Sequence, residues 1–262
     1  MPFASLPLSL GALVGVALSG GFVWWEVGRY AIPQVPTTLF DERRELFAYT
    51  AGLFVGIPFA LAYVLFVLSM QNLALVSAAL FLALLVGGTE LAQWGLLRTR
   101  FWGVGESGPF YALGYRAAIG GIIALALVTE YFSGATPGPE GIALAVVEAV
   151  AVVALEVAGA LLSMRARPRS DRVGGGPAAG AIFGAVGFFL LGLGATGGVI
   201  TGFLGALVAL LGALLVYRRL RPILGTIPPP GSGPPTSTPR DRAFGRTDHG
   251  EAPGERGTGG RR

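Results

Sequence analysis

Residues 46–89 read LFAYTAGLFVGIPFALAYVLFVLSMQNLALVSAALFLALLVGGT, without one charged side chain. A helix that crosses a membrane needs about 20 apolar residues, because each adds about 1.5 Å across a hydrocarbon core about 30 Å thick. The stretch holds two such helices, and Ser69-Met70-Gln71-Asn72 in its middle supplies the turn between them. Residues 46–70 and 73–97 therefore read as an antiparallel pair of membrane spans, the first carrying Pro58 midway and expected to kink there.

Working outward, the same criterion finds five more. Residues 6–25 form the first span, ending in the interfacial pair Trp24-Trp25. They lack the basic flank of a cleavable signal peptide and read as a retained helix. Residues 109–132 and 141–164 are the fourth and fifth spans, separated by a Pro/Gly-rich loop at 133–140. Residues 177–196 and 200–217 are the sixth and seventh, hinged on Gly197-Gly198. The expected fold is an all-α polytopic transmembrane bundle of seven helices. Composition agrees: 13% of residues are charged and 53% hydrophobic, with mean hydropathy +0.65, where soluble domains carry about 25% charged residues.

Charge placement orients the bundle. The connections after spans one, three and five carry Arg29, Arg43, Arg44, Arg98, Arg100, Arg165, Arg167, Arg169 and Arg172, and Arg218, Arg219 and Arg221 follow span seven. The N-terminal stub and the connections after spans two, four and six carry none. Basic short loops stay in the cytoplasm, so the expectation is N-terminus out and C-terminus in. Six or eight spans would destroy the alternation. Residues 1–221 form the seven-helix domain. Residues 222–262, with Pro228-Pro229-Pro230 and scattered Gly, Ser and Thr, bury too little apolar surface to fold and read as a disordered cytoplasmic tail.

Several chemistries are excluded by composition. The chain has no cysteine, and all 19 basic residues are arginine. Thiolate catalysis, zinc–thiolate sites, P-loop phosphate binding and a retinal-type Schiff base all fall away. The only histidine, His249, lies in the tail, so neither a Ser-His-Asp triad nor a histidine-ligated metal can form inside the membrane. No catalytic residue, cofactor or metal site is expected. The arginine bias fits a GC-rich prokaryotic genome, and hence the plasma membrane of a prokaryote.

What remains is a set of ionisable residues within the spans: Glu90, Arg116, Glu148 and Glu156. Each costs about 2.5–3.5 kcal/mol at the membrane centre on insertion scales. Glu90 lies seven residues before the inner end of span three, Arg116 seven after the start of span four, and Glu156 eight before the end of span five. All three then sit about 10–12 Å from the cytoplasmic boundary. Ionised groups at one depth are less costly together, so Arg116 is expected to pair with Glu90, Glu156 or both. One arginine cannot neutralise two carboxylates; the spare one should hold a proton or a cation. These residues are the candidate ion or proton relay. Glu148, about 12 Å further out and about 80° around the helix, is a possible second station.

Blander readings compete. Arg116 could snorkel to the surface, Glu148 could be a structural hydrogen-bonded acid, and Glu26 and Glu130, near span ends, read as interfacial. Tyr111, Tyr115, Trp94 and Gln93 read as belt or packing residues. The functional expectation is a small proton- or cation-coupled transporter or permease. The alternative is a non-catalytic membrane subunit or assembly factor, its carboxylates binding a partner's helices. An enzyme working with carboxylates alone is least favoured, since no paired-acid motif such as DxxxD appears. The expected partners are the lipid bilayer and, under the alternative reading, other membrane subunits; no nucleic acid is implied.

Overall fold

In the computed structural model the described residues are 5–30, 41–99, 108–133, 138–165 and 176–220. The chain divides into a unit Met1–Ile227 and a unit Pro228–Arg262. The second, with the tail expected from the sequence, lies outside the described residues.

The described residues form seven helices: α1 (Ser5–Tyr30), α2 (Glu42–Gln71), α3 (Leu75–Arg98), α4 (Gly108–Ser133), α5 (Pro139–Arg165), α6 (Gly176–Gly197) and α7 (Val199–Leu220). Each is long and apolar enough to cross a membrane. This is a multi-pass membrane bundle.

The ends have local causes. Asp41 caps α2, its carboxylate accepting from the Arg43 N–H at 2.9 Å. The Asp41 N–H donates to the Tyr111 hydroxyl at 3.2 Å, which ties this helix start to α4. After α2, the Asn72 side chain donates to the Leu68 carbonyl at 2.8 Å, and Leu73 turns with φ 55°. Between α6 and α7 a single residue, Gly198, reverses the chain with φ 83°, a conformation glycine adopts without steric cost. Pro58 stands within α2 with its ring exposed.

Residue pairings show that successive helices alternate in direction. Gly11 of α1 packs on Leu125 and Gly15 on Gly121, so α1 and α4 are antiparallel. Gly52 of α2 packs on Tyr115 and Gly56 on Ile119, so α2 and α4 are parallel. Gly120 of α4 meets Val153, Gly187 of α6 meets Leu155, and Gly205 of α7 meets Leu190. The alternation gathers Arg43, Arg44, Arg98, Arg218 and Arg219 at one end, the arginine end, and leaves the α2–α3 and α6–α7 turns at the other.

The most enclosed helix is α4, 78% buried over its apolar window against 22% for α7. It packs against α1, α2 and α5. Large apolar side chains on the outer faces, such as Trp24, Phe54, Leu80, Ile182 and Ile200, are exposed as lipid contact requires. The axis on which any buried chemistry must be organised is therefore α4.

Candidate functional site

Two residues on nearly opposite faces of α4 organise the polar interior. About 200° separates positions 114 and 116 on a helix. Arg116 points towards α3 and α5, while Gly114 faces α2.

On the Arg116 face the guanidinium is 2% exposed. Its Nη1 donates to Glu90 Oε1 of α3 at 3.2 Å, and its Nε lies 2.5 Å from Glu156 Oε2 of α5. The second contact is a close ion pair without hydrogen-bond alignment, since neither Arg116 Nε nor either Glu156 oxygen completes a hydrogen bond. Glu90 has a further partner. Ser163 Oγ of α5 lies 2.5 Å from Glu90 Oε2 and 2.9 Å from its own helix carbonyl at Gly159. The cluster presses against backbone. A Cβ on Gly180 of α6 would overlap Ser163 Oγ and come within 2.7 Å of Glu90 Oε1, and one on Gly159 would lie 3.0 Å from Arg116 Nη2. Glycine at 180 is what lets α6 close over the charges.

The structure thus brings Glu90, Arg116 and Glu156 together, at the common depth their spacing implied. Arg116 does not snorkel. Ser163 was not singled out from sequence, although it lies seven residues after Glu156, two turns along the same face.

The Gly114 face carries a second acid pair. Glu26 of α1 and Glu45 of α2 are each 1% exposed. Their four carboxylate oxygens find no hydrogen-bond partner among the described residues. Glu45 Oε1 lies where a Cβ on residue 114 would stand, and its carboxylate is close enough to Glu26 for the two to repel. This corrects the interfacial reading of Glu26. A charge near the end of an apolar run looked like the end, but α1 continues to Tyr30 and turns Glu26 inward. Register would have found it: Ser19, Val23 and Glu26 share one buried face of α1, as Glu45, Tyr49, Gly52 and Gly56 do on α2. Ser19 and Tyr49 join those faces by a hydroxyl–hydroxyl hydrogen bond of 3.0 Å.

Glu148 lies apart, towards the end away from the arginines. It is 3% exposed and lines a cavity that the Tyr131 side chain also lines. Between it and the Arg116 cluster in depth lie Ile119, Ile123, Val152 and Leu155, all fully buried. Glu130 is exposed at the end of α4. Tyr111, Tyr115 and Gln93 are core residues, and Trp94 carries the Arg98 guanidinium 3.8 Å above its ring. Among the described residues no group of three or more acidic or histidine side chains is placed to hold a metal ion.

Among the described residues the interior therefore holds five carboxylates (Glu26, Glu45, Glu90, Glu148, Glu156) against one base, Arg116. No protein-family model, curated protein or solved structure matches the chain.

Proposed function

We propose that this protein is a small secondary transporter coupled to protons or a monovalent cation, with Glu156–Arg116–Glu90 as its coupling centre and Glu148 as an outer station. The observation that carries the reading is the ratio of two carboxylates to one arginine in a dehydrated cluster. A pair serving structure alone needs one acid per base. The surplus carboxylate is tolerable in hydrocarbon only with a proton or cation bound.

Ser163 strengthens the reading. A hydroxyl has one proton to give and can also accept. With Glu90 ionised, Ser163 donates to it. With Glu90 protonated, the acid donates to Ser163, which turns its own proton to the Gly159 carbonyl 2.9 Å away. In both charge states Glu90 and Ser163 stay hydrogen-bonded to each other, as a relay position requires. Transfer between Glu148 and Glu156 must pass the Ile119–Ile123–Val152–Leu155 layer, so the cycle needs a movement that wets or parts it. That is the alternating-access step expected of a carrier.

The test is gradient-driven uptake in liposomes containing the purified chain and a pH-sensitive dye. Glu90→Gln and Glu156→Gln should each abolish coupled flux while the protein stays folded, and Ser163→Ala should slow it about tenfold, the scale of one lost hydrogen bond. Flux unchanged in the Glu90→Gln/Glu156→Gln double variant would sink the proposal. A chain inactive alone, but recovered from its native membrane with a stoichiometric partner, would support the subunit reading instead.

A further inference from the structure

In the half of the bundle away from the arginines, α2, α4, α5, α6 and α7 line a half-open cavity of about 350 Å3. Its polar lining is Tyr63 and Gln71 from α2, Glu130 and Tyr131 from α4, and Glu148 from α5; the remaining walls are leucine, valine and glycine. Glycines of α6 and α7 close the rear, since a Cβ on Gly194 or Gly202 would stand 3.3 or 3.5 Å from Glu148 Oε1. We infer that this cavity is a binding site for a small organic ammonium ion, its charge held by Glu148 and its apolar substituents by the aliphatic walls.

Sign comes first. The lining holds two carboxylates and no base. The arginines of the described residues lie at the opposite end or in the Arg116 cluster, and the chain has no lysine. Low-dielectric walls concentrate such a field and draw in cations. Chemical class follows from the walls. An inorganic cation must replace its hydration shell with several oxygens at about 2.0–2.6 Å. Here the oxygens are two carboxylates, two phenols and one amide spread among leucine, valine and glycine walls, with no cluster of three acidic side chains among the described residues to replace a hydration shell. An ammonium ion with carbon substituents asks less. One ion pair with Glu148, ring faces from Tyr63 and Tyr131, and leucine and valine contacts would satisfy it. Size narrows the choice, for the cavity is near the lower end of ligand pockets, about 300–1,000 Å3. It fits an amine with one ring or a short alkyl group.

As a binding site the cavity stands independently of the inner relay; as the entry point of a transported species it rests on the transporter reading. The two are separated by measuring binding in detergent, where no gradient exists. The probe is benzyltrimethylammonium, whose charge does not change with pH, titrated calorimetrically into the purified full chain. One saturable site is expected. Glu148→Gln should weaken it about 30-fold, the factor that 2 kcal/mol corresponds to. Val67→Trp, which fills the chamber and leaves Glu148 in place, should abolish it; melting temperatures of both variants check folding. Neopentylbenzene, the same shape without charge, should bind at least tenfold more weakly. Equal affinity for the neutral isostere, or an unchanged affinity in Glu148→Gln, overturns the inference. So does a binding heat from sodium ions that disappears in Glu148→Gln while the ammonium probe gives none. Binding without proton or monovalent-cation flux would leave this inference standing and refute the relay.

Discussion

Replacing Arg116 with leucine removes the only buried base among the described residues and strands two carboxylates that are 7% and 1% exposed. Breaking a buried pair by deleting one partner costs about 3–5 kcal/mol. The stranded acids can escape by binding a proton. From an ordinary value near 4.3, that costs about 3.7 kcal/mol per carboxylate at pH 7, at about 1.4 kcal/mol per pH unit. The two acids are not equally stranded. Glu90 keeps the Ser163 hydroxyl at 2.5 Å, whereas neither oxygen of Glu156 has a hydrogen-bond partner among the described residues. Arg116→Leu should therefore cost about 4–6 kcal/mol at pH 7, most of it through Glu156. At about 2–4 °C per kcal/mol for a chain of this size, the melting temperature in detergent should fall by about 10–20 °C. Adding Glu156→Gln should recover about 2–3 kcal/mol, and adding Glu90→Gln about 1 kcal/mol, a non-additivity well above that of independent sites. The penalty must also depend on pH. Protonating an acid becomes easier as pH falls, so the loss should shrink to about 2 kcal/mol at pH 5 and grow above pH 7. Thermal unfolding of the wild type, the three single variants and the two double variants between pH 5 and pH 8 reads all of this. Additive double variants together with a pH-independent loss would show that the three residues do not interact.

Four further outcomes are expected. Gly180→Ala should cost about 1–3 kcal/mol by forcing Ser163 and Glu90 aside, whereas Gly95→Ala, which meets nothing within 4 Å, should be neutral or slightly stabilising; equal melting temperatures would refute the close α6 contact. Glu45→Gln relieves the repulsion with Glu26, so it should raise the melting temperature by a few degrees at pH 8 and not at pH 5, and a loss at both would show that the pair is held together by a bound cation. In the cysteine-free background, Ser133→Cys should react with an impermeant maleimide on intact cells and Ser170→Cys only after lysis; the reverse pattern would overturn the N-out orientation. A chain stopped after Thr226 should insert and melt as the full chain does, and a large loss of either would show that residues 227–262 take part in folding.

The fold was legible because hydropathy reports span length directly and because twelve arginines alternate with the connections. The depth of the charged layer was legible too. A rise of about 1.5 Å per residue is fixed, so counting from span ends placed Glu90, Arg116 and Glu156 at one level before any contact was known. Direction around each helix was not. In a soluble helix the apolar stripe marks the core, but lipid is as apolar as the interior, so Leu53 and Phe54, half-buried and exposed, look alike in sequence. Glu26 and Glu45 were missed for that reason: each lies near a span end, and only their register with Ser19, Val23, Tyr49 and Gly52 reveals the inward turn. The cavity at Glu148 was out of reach because five helices line it, and a void is set by how their side chains fail to fill a shared space.

The buried glutamates pose one question of chemistry. Each is costly to insert, at about 2.5–3.5 kcal/mol on translocon scales, so five of them strain spans whose apolar residues return only about 0.3–0.6 kcal/mol apiece. If their work were to glue helices, amides or hydroxyls would serve at lower cost, and this chain uses such groups elsewhere, as in the Ser19–Tyr49 bond. A carboxylate offers what an amide of the same shape does not: reversible binding of a proton or cation. The distribution fits that use. One acid sits on the chamber at the end away from the arginines, two share the single arginine, and two more face each other on the far side of α4 near the arginine end. Glutamine substitution separates the alternatives, because it preserves size and most hydrogen bonding while removing the exchangeable charge. A bundle that keeps its fold with Glu148, Glu156 and Glu45 all changed to Gln, yet loses ion movement, holds those acids for transport. One that unfolds on the first such change holds them for structure.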